Sequence, residues 1–487
     1  MSGVDLVIRG GRVATACDLF DADIAITDGK ITAIGRDLPD GEEEISAENR
    51  LVLPGGVDSH CHVEQLAATG LVNADTFESA TTSAAFGGTT TVIPFAAQHV
   101  GMSLAAVTKD YHELAKRQAV VDYAFHLILA DPRPEILADE LPPLIEAGHG
   151  SLKVFLTYDR LRIDDPQLVA VLEAARRHGA MVTVHAENHA MITWLSKRLV
   201  ERGYTQPRYH AVSHPRIGEI EAIGRAIAFS RLLDQPLMIF HVSTAEGADV
   251  IRRARADGAK IYGETCTQYL LLTKDEMDRP GIDGAMWMCS PPLREKSDQE
   301  ALWRALADGT LQTVSSDHAP YAMDGSGKLA KGPAPNFKQI ANGMPGIELR
   351  LPMLFDAMIS QGRLDLSSFV ALTSTTPAKL YGLYPKKGSI VIGGDADLVL
   401  WDPDREVAIE HGLTHDRAGY TPYAGRTVRG WPTTVLRRGE VIIDNGELKA
   451  RPGSGRFLPR RGGSWALPGG PIEPELNPVH NFGAKLL

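Results

Sequence analysis

Two histidines one residue apart, His60 and His62, close the stretch LVLPGGVDSHCH at 51–62. An apolar run, a Pro-Gly-Gly break and a short strand deliver them. Side chains alternate faces along a strand, so these two point the same way, with Cα atoms roughly 6–7 Å apart, and can grip one metal ion. Three more residues of ligating type stand at the ends of later apolar runs: His185, His241 and Asp317. A single histidine at a strand end is more often a hydrogen-bonded structural residue. Four histidines and one aspartate all at strand ends make a metal centre the better reading.

Lys153, inside the apolar run SLKVFL, is the most informative member. Burying an ammonium is costly, so a lysine here should be excluded from an interior, or snorkel out of it. Burial lowers its pKa and frees a neutral amine. Carbon dioxide can add to that amine. The resulting carbamate is an anion with two oxygens, able to bridge two cations roughly 3.5–4 Å apart. Nitrogen and oxygen donors suit zinc first, with manganese or cobalt as substitutes.

These residues need a frame that gathers strand ends. Eight apolar runs occupy 56–62, 88–95, 121–129, 151–158, 181–187, 236–243, 260–266 and 311–318. Amphipathic stretches such as DPQLVAVLEAARRHG (165–179) and GEIEAIGRAIAFSRLLDQ (218–235) lie between them and read as helices. Eight strands with intervening helices predict a (β/α)8 TIM-type barrel over 54–385, whose functional groups sit at the C-terminal ends of the strands. Residues 1–53 and 386–450 alternate apolar and polar residues between turn signals. They predict a small β-sandwich domain, discontinuous in sequence and completed when the chain returns. The tail, 451–487, is rich in Pro, Gly and Arg without periodicity. It reads either as a loose extension or as an arm on a neighbouring subunit.

The set HxH, buried Lys, His, His, Asp resembles the amidohydrolase superfamily, and more narrowly its dihydropyrimidinase and D-hydantoinase group. AAFGGTTTVIPF (84–95), SLKVFLTY (151–158), VHAEN (184–188), HVST (241–244), CSPPLR (289–294), SSDHAPY (315–321) and NGMPGIE (342–348) carry the likeness over nearly the whole chain. The resemblance implies that Lys153 is carboxylated and bridges two metal ions held with His60, His62, His185, His241 and Asp317. It implies that Asp317 also shuttles a proton, that Tyr158 polarises the substrate carbonyl, and that Ser290 and Asn342 contact a cyclic amide through their main chain. The expected reaction is hydrolytic ring opening of a dihydropyrimidine, a hydantoin or a related imide, to an N-carbamoyl amino acid or a half-amide. One departure follows the first motif. Hydantoinases usually continue HxHLDMPF, whereas this chain reads HCHVEQLAATG. The resemblance places that loop near the substrate's exocyclic group. Dihydroorotases resemble HxHLR there, and Glu64 and Gln65 offer no such cation. An allantoinase-like ureide hydrolase remains the alternative.

Bulk properties exclude other classes. The 487 residues carry 50 Lys and Arg against 61 Asp and Glu, a net charge of −11. That disfavours non-specific binding to nucleic acid or anionic membranes. Four cysteines without CxxC spacing and an N-terminus lacking an apolar core fit a reducing cytoplasm. Cys61 and Cys289 flank site residues without a base partner and read as packing. A non-catalytic scaffold would not need every ligand type, and a mononuclear deaminase would lack the lysine. The family likeness implies a homo-oligomer, a dimer or tetramer.

Overall fold

The computed structural model describes residues 3–67, 70–470 and 473–486. The chain opens with β1 (Leu6–Ala14), β2 (Leu19–Thr27), β3 (Lys30–Gly35), β4 (Glu43–Ser46) and β5 (Leu51–Pro54). It then enters nine parallel strands: β6 (Gly56–Cys61), β7 (Thr89–Ala97), β8 (Asp122–Tyr123), β9 (His126–Ile128), β10 (Ser151–Phe155), β11 (Met181–His185), β12 (Leu237–Ile239), β13 (Ile261–Cys266) and β14 (Thr313–Ser315). It finishes with β15 (Leu398–Ala408), β16 (Thr427–Arg437), β17 (Glu440–Asp444) and β18 (Glu447–Leu448).

The parallel strands pair in the order β6-β7-β9-β10-β11-β12-β13-β14, with β8 on the side of β7. All eight apolar runs become strands. The third, expected as one run, is two short pieces, β8 and β9. The barrel closes where β6 meets the segment after β14: Asp317 N–H donates to His60 O (2.9 Å) and His62 N–H to His318 O (2.7 Å). β10, β11 and β12 are buried at every position. Helices cover the outside of a parallel sheet and side chains fill its inside, which is why these strands read as unbroken apolar runs. The helix Asp165–His178 starts at a reciprocal cap between Asp164 and Gln167, and ends at Gly179, whose φ of 72° suits glycine.

The β unit expected from the two chain ends is one mixed sheet, ordered β18-β17-β16-β15-β5-β1-β2-β3, with β4 beside β1. β5 and β15 are the antiparallel join between the early and late segments, with Leu51 opposite Trp401 and Pro54 opposite Leu398. The sheet has its own core, including Ile8, Ile24, Val52, Leu400 and Leu436. It meets the barrel at Lys387, whose ammonium lies between Asp122 (2.7 Å), Asp397 (2.7 Å) and Asp395 (3.1 Å).

Residues 451–467, the first part of the 451–487 tail, cross the N-terminal end of their own barrel. Leu458 N–H donates to Tyr123 O (2.7 Å), Gly150 N–H to Arg460 O (3.1 Å) and the Lys260 ammonium to Leu467 O (2.8 Å). Arg460 is buried there, donating to Phe125 O and the Ser151 hydroxyl. Among the described residues, no helix is long and apolar enough to cross a membrane.

Candidate metal-dependent active site

The opposite end of the barrel holds a cavity of about 350 Å³. His60, His62, Lys153, His185, His241 and Asp317 all line it. His60 Nε2 and His62 Nε2 each lie 3.2 Å from Asp317 Oδ1, and one ligand atom from each of the three falls within 4.8 Å of the others. The His185 and His241 rings are 4.4 Å apart, and His241 is 5.3 Å from His60. Alternation along β10 sends Ser151 and Lys153 to the same side. Ser151 meets Arg460 and His126 below, and Lys153 rises into the cavity. The Lys153 side chain is fully buried and its Nζ has no hydrogen-bond partner. Phe240, Phe155 and Phe95 surround it, with ring centroids 4.2, 4.8 and 5.7 Å away. His241, Asp317 and Tyr158 have φ values of 40°, 47° and 73°. Left-handed backbone at a non-glycine residue costs on the order of 1–3 kcal/mol and gathers at functional sites.

Carboxylates hold two of the histidines in fixed orientation. Glu264 Oε1 is 2.7 Å from His60 Nδ1, and Glu187 Oε2 is 2.7 Å from His185 Nε2. Each imidazole is thereby left with one nitrogen facing the cavity: Nε2 of His60 and Nδ1 of His185. Sequence reasoning missed both acids. Glu264 carried the same signal as Lys153, a charged residue inside an apolar run, KIYGETC. Glu187 follows His185 by two residues, a spacing with no meaning until the turn after β11 is seen.

Burial governs the titration of the site. It pushes His60 and His241 well below the usual histidine range, so both are neutral with lone pairs free for a cation. It pushes the Lys153 amine down to about 7, outweighing the opposing pull of Asp317 and Glu264. Burial also pushes the Glu187 carboxyl up, but the neighbouring His214 and His185 more than reverse that and hold it at about 2. The Cys289 thiol is pushed up to about 12 by burial and Cys61 well above its ordinary value, so neither is a thiolate.

Tyr158, Ser290 and Asn342 line the same cavity. The Ser290 hydroxyl lies 3.3 Å from His210 Nε2, and the Tyr158 ring centroid is 5.1 Å from that of His185. His210 Nε2 donates to Cys289 O (2.7 Å), which anchors the backbone just before Ser290. The buried Asn342 Oδ1 has no partner in the protein. Leu161, Ile192, Phe337 and Ile340 form an apolar part of the wall.

The donor set fits a pair of divalent cations. It offers four imidazoles, one carboxylate and one buried amine whose lack of any partner would otherwise be a plain cost. Amidohydrolase family sequences match residues 51–442. The D-hydantoinase of Ralstonia pickettii is 41% identical over 459 residues, covering 94% of this chain and 99% of the relative. The D-hydantoinase of Geobacillus stearothermophilus is 43% identical over 457 residues, covering 93% and 96%. The crystal structure of the dihydropyrimidinase from Brevibacillus agri NCHU1002 superposes with a TM-score of 0.91 at 41% identity, covering 94% and 99%. With sequence and fold agreeing over nearly its full length, the chain belongs to the amidohydrolase family, in the branch of the D-hydantoinases and dihydropyrimidinases.

Proposed function

We propose that this protein is a metal-dependent hydrolase that opens the ring of a dihydropyrimidine, a hydantoin or a related cyclic imide. One observation carries the reading: an unpartnered, fully buried Lys153 amine shares one cavity with four imidazoles and Asp317. His60, His62, His185, His241, Asp317 and Lys153 as its carbamate would hold two divalent cations, zinc first by donor type, with manganese or cobalt as substitutes. When bound, such cations supply Lewis acidity, lowering the pKa of water and polarising an amide carbonyl. The residues do the rest. The Tyr158 hydroxyl donates to the carbonyl oxygen as negative charge develops on it. The Asp317 carboxylate takes a proton from the attacking water and returns it to the leaving ring nitrogen. Backbone groups at Ser290 and Asn342 hold the ring amide. The product is an N-carbamoyl amino acid, or a half-amide from a plain imide.

A turnover panel of dihydrouracil, hydantoin, 5-substituted hydantoins, succinimide, phthalimide and allantoin tests this. Ring opening of at least one dihydropyrimidine, hydantoin or imide by metal-loaded protein is expected. No ring opening, or ammonia release instead, overturns the reading. Exposed Trp194, Val212 and Ile217 support self-association as a dimer or tetramer, measurable by sedimentation. Free, buried Cys61, Cys266 and Cys289 support a reducing compartment, the cytoplasm.

A further inference from the structure

The loop after the first histidine pair departs from the hydantoinase pattern, and the structure shows what the departure does. His62 Nδ1 lies 2.6 Å from Gln65 Oε1. An amide oxygen only accepts, so Nδ1 carries the proton and Nε2 turns its lone pair toward Asp317, 3.2 Å away. Gln65 is only 4% exposed and lines the cavity. Its backbone is held as firmly as its side chain. Gln65 N–H donates to Asn73 Oδ1 and Asn73 N–H to Gln65 O, both at 3.2 Å. Leu66 and Val72 form an antiparallel bridge, and Ala67 N–H donates to Leu71 O (2.8 Å). One residue thus belongs both to a hairpin in the cavity wall and to the support of a metal-ligating histidine. Its chemistry is also distinct. Glu264 and Glu187 carboxyl groups back His60 and His185, an amide backs His62, and His241 Nδ1 has no partner in the protein. A carboxylate orients the ring and raises its basicity, whereas an amide orients it without adding charge.

We propose that Gln65 is a positioning residue that fixes the tautomer and angle of His62 and ties cation retention to the cavity-wall hairpin. The proposal rests on the metal-dependent reading above. Hydantoinases that continue HxHLDMPF have Met where this chain has Gln65, so Gln65→Met is the natural probe. Gln65→Asn keeps an amide but is one methylene too short to reach Nδ1. Gln65→Glu restores an acceptor of full length.

The test follows metal per chain during incubation of zinc-loaded protein with a chelator, with folding checked by circular dichroism. Wild type is expected to take up two equivalents and to release them slowly. Gln65→Met and Gln65→Asn should release one equivalent about 10–100-fold faster than wild type, with the other unchanged, and Gln65→Glu should hold it at least as long as wild type. If Gln65→Met does not fold, Gln65→Asn supplies the comparison. Folded Gln65→Asn releasing metal at the wild-type rate overturns the proposal. So does Gln65→Glu releasing it as fast as Gln65→Asn. Wild type that takes up no metal would instead overturn the metal-dependent reading, which separates the two failures.

Discussion

Lys153 in the cavity and Lys387 at the seam between barrel and mixed sheet are both buried, at 0% and 1% exposure. Their surroundings are opposite. Three carboxylates face Lys387, and the Arg438 guanidinium meets the same Asp122 from the other side. Burial pushes the Lys387 amine down, but Asp397, Asp122 and Asp395 more than offset this and hold it above the ordinary lysine range. Lys153 faces three phenyl rings, no hydrogen-bond acceptor, and a falling pKa. An ammonium survives burial where anions pair it, and otherwise must lose its charge. At the seam the cation is internal: Asp122, Asp395 and Asp397 stand close enough to hold a metal ion, and Lys387 fills that role. In the cavity the amine lies among imidazoles and a carboxylate of metal-ligating type and has no hydrogen-bond partner.

The contrast is open to breaking. Lys153→Ala should remove most bound metal and nearly all turnover, measured by metal analysis and by the ring-opening assay. Full activity of that variant without an added short carboxylic acid would defeat the carbamate. Lys387→Met leaves three carboxylates around an uncompensated hole and should cost about 3–5 kcal/mol of stability in urea unfolding, while turnover per folded chain stays at the wild-type value. An unchanged unfolding midpoint would erase the difference between the two lysines. Tyr158→Phe should lower kcat by about 10²–10³-fold with metal still bound, and an unchanged kcat would exclude its role at the developing oxyanion.

The smallest effect is in pH. The folded pKa of Lys387 lies above its unfolded value of 10.5, so its contribution is fully present below pH 10.5 and lost as pH rises through the folded value. The difference in Tm between wild type and Lys387→Met should therefore hold constant through neutral pH and narrow in strong alkali. A difference that narrows between pH 6 and 8 instead would mean that the cluster is not paired as described.

Much of the barrel could be read in advance because a parallel strand is buried on both faces and shows as a continuous apolar run. The runs ending at His62, His185, His241 and Asp317, and the run carrying Lys153, converge on one cavity because a barrel brings all its strand ends together. The break between β8 and β9 was not legible. Asp122 ends up in an ion cluster with Lys387, 265 residues further along, and no local pattern encodes that partner. The course of 451–467 was not legible for the same reason: Arg460 is held by Phe125 O and the Ser151 hydroxyl, both more than 300 residues away.

The order of elements and the kinds of donor available were determined by the sequence alone, because periodicity and residue chemistry are local properties. Which nitrogen of each histidine faces the cavity was decided only in three dimensions. Glu264 reaches His60 across 204 residues, and Gln65, three residues after His62, is held at its ring by bonds to Asn73. A hydrogen bond is set by distance and angle in space, and separation along the chain does not specify either.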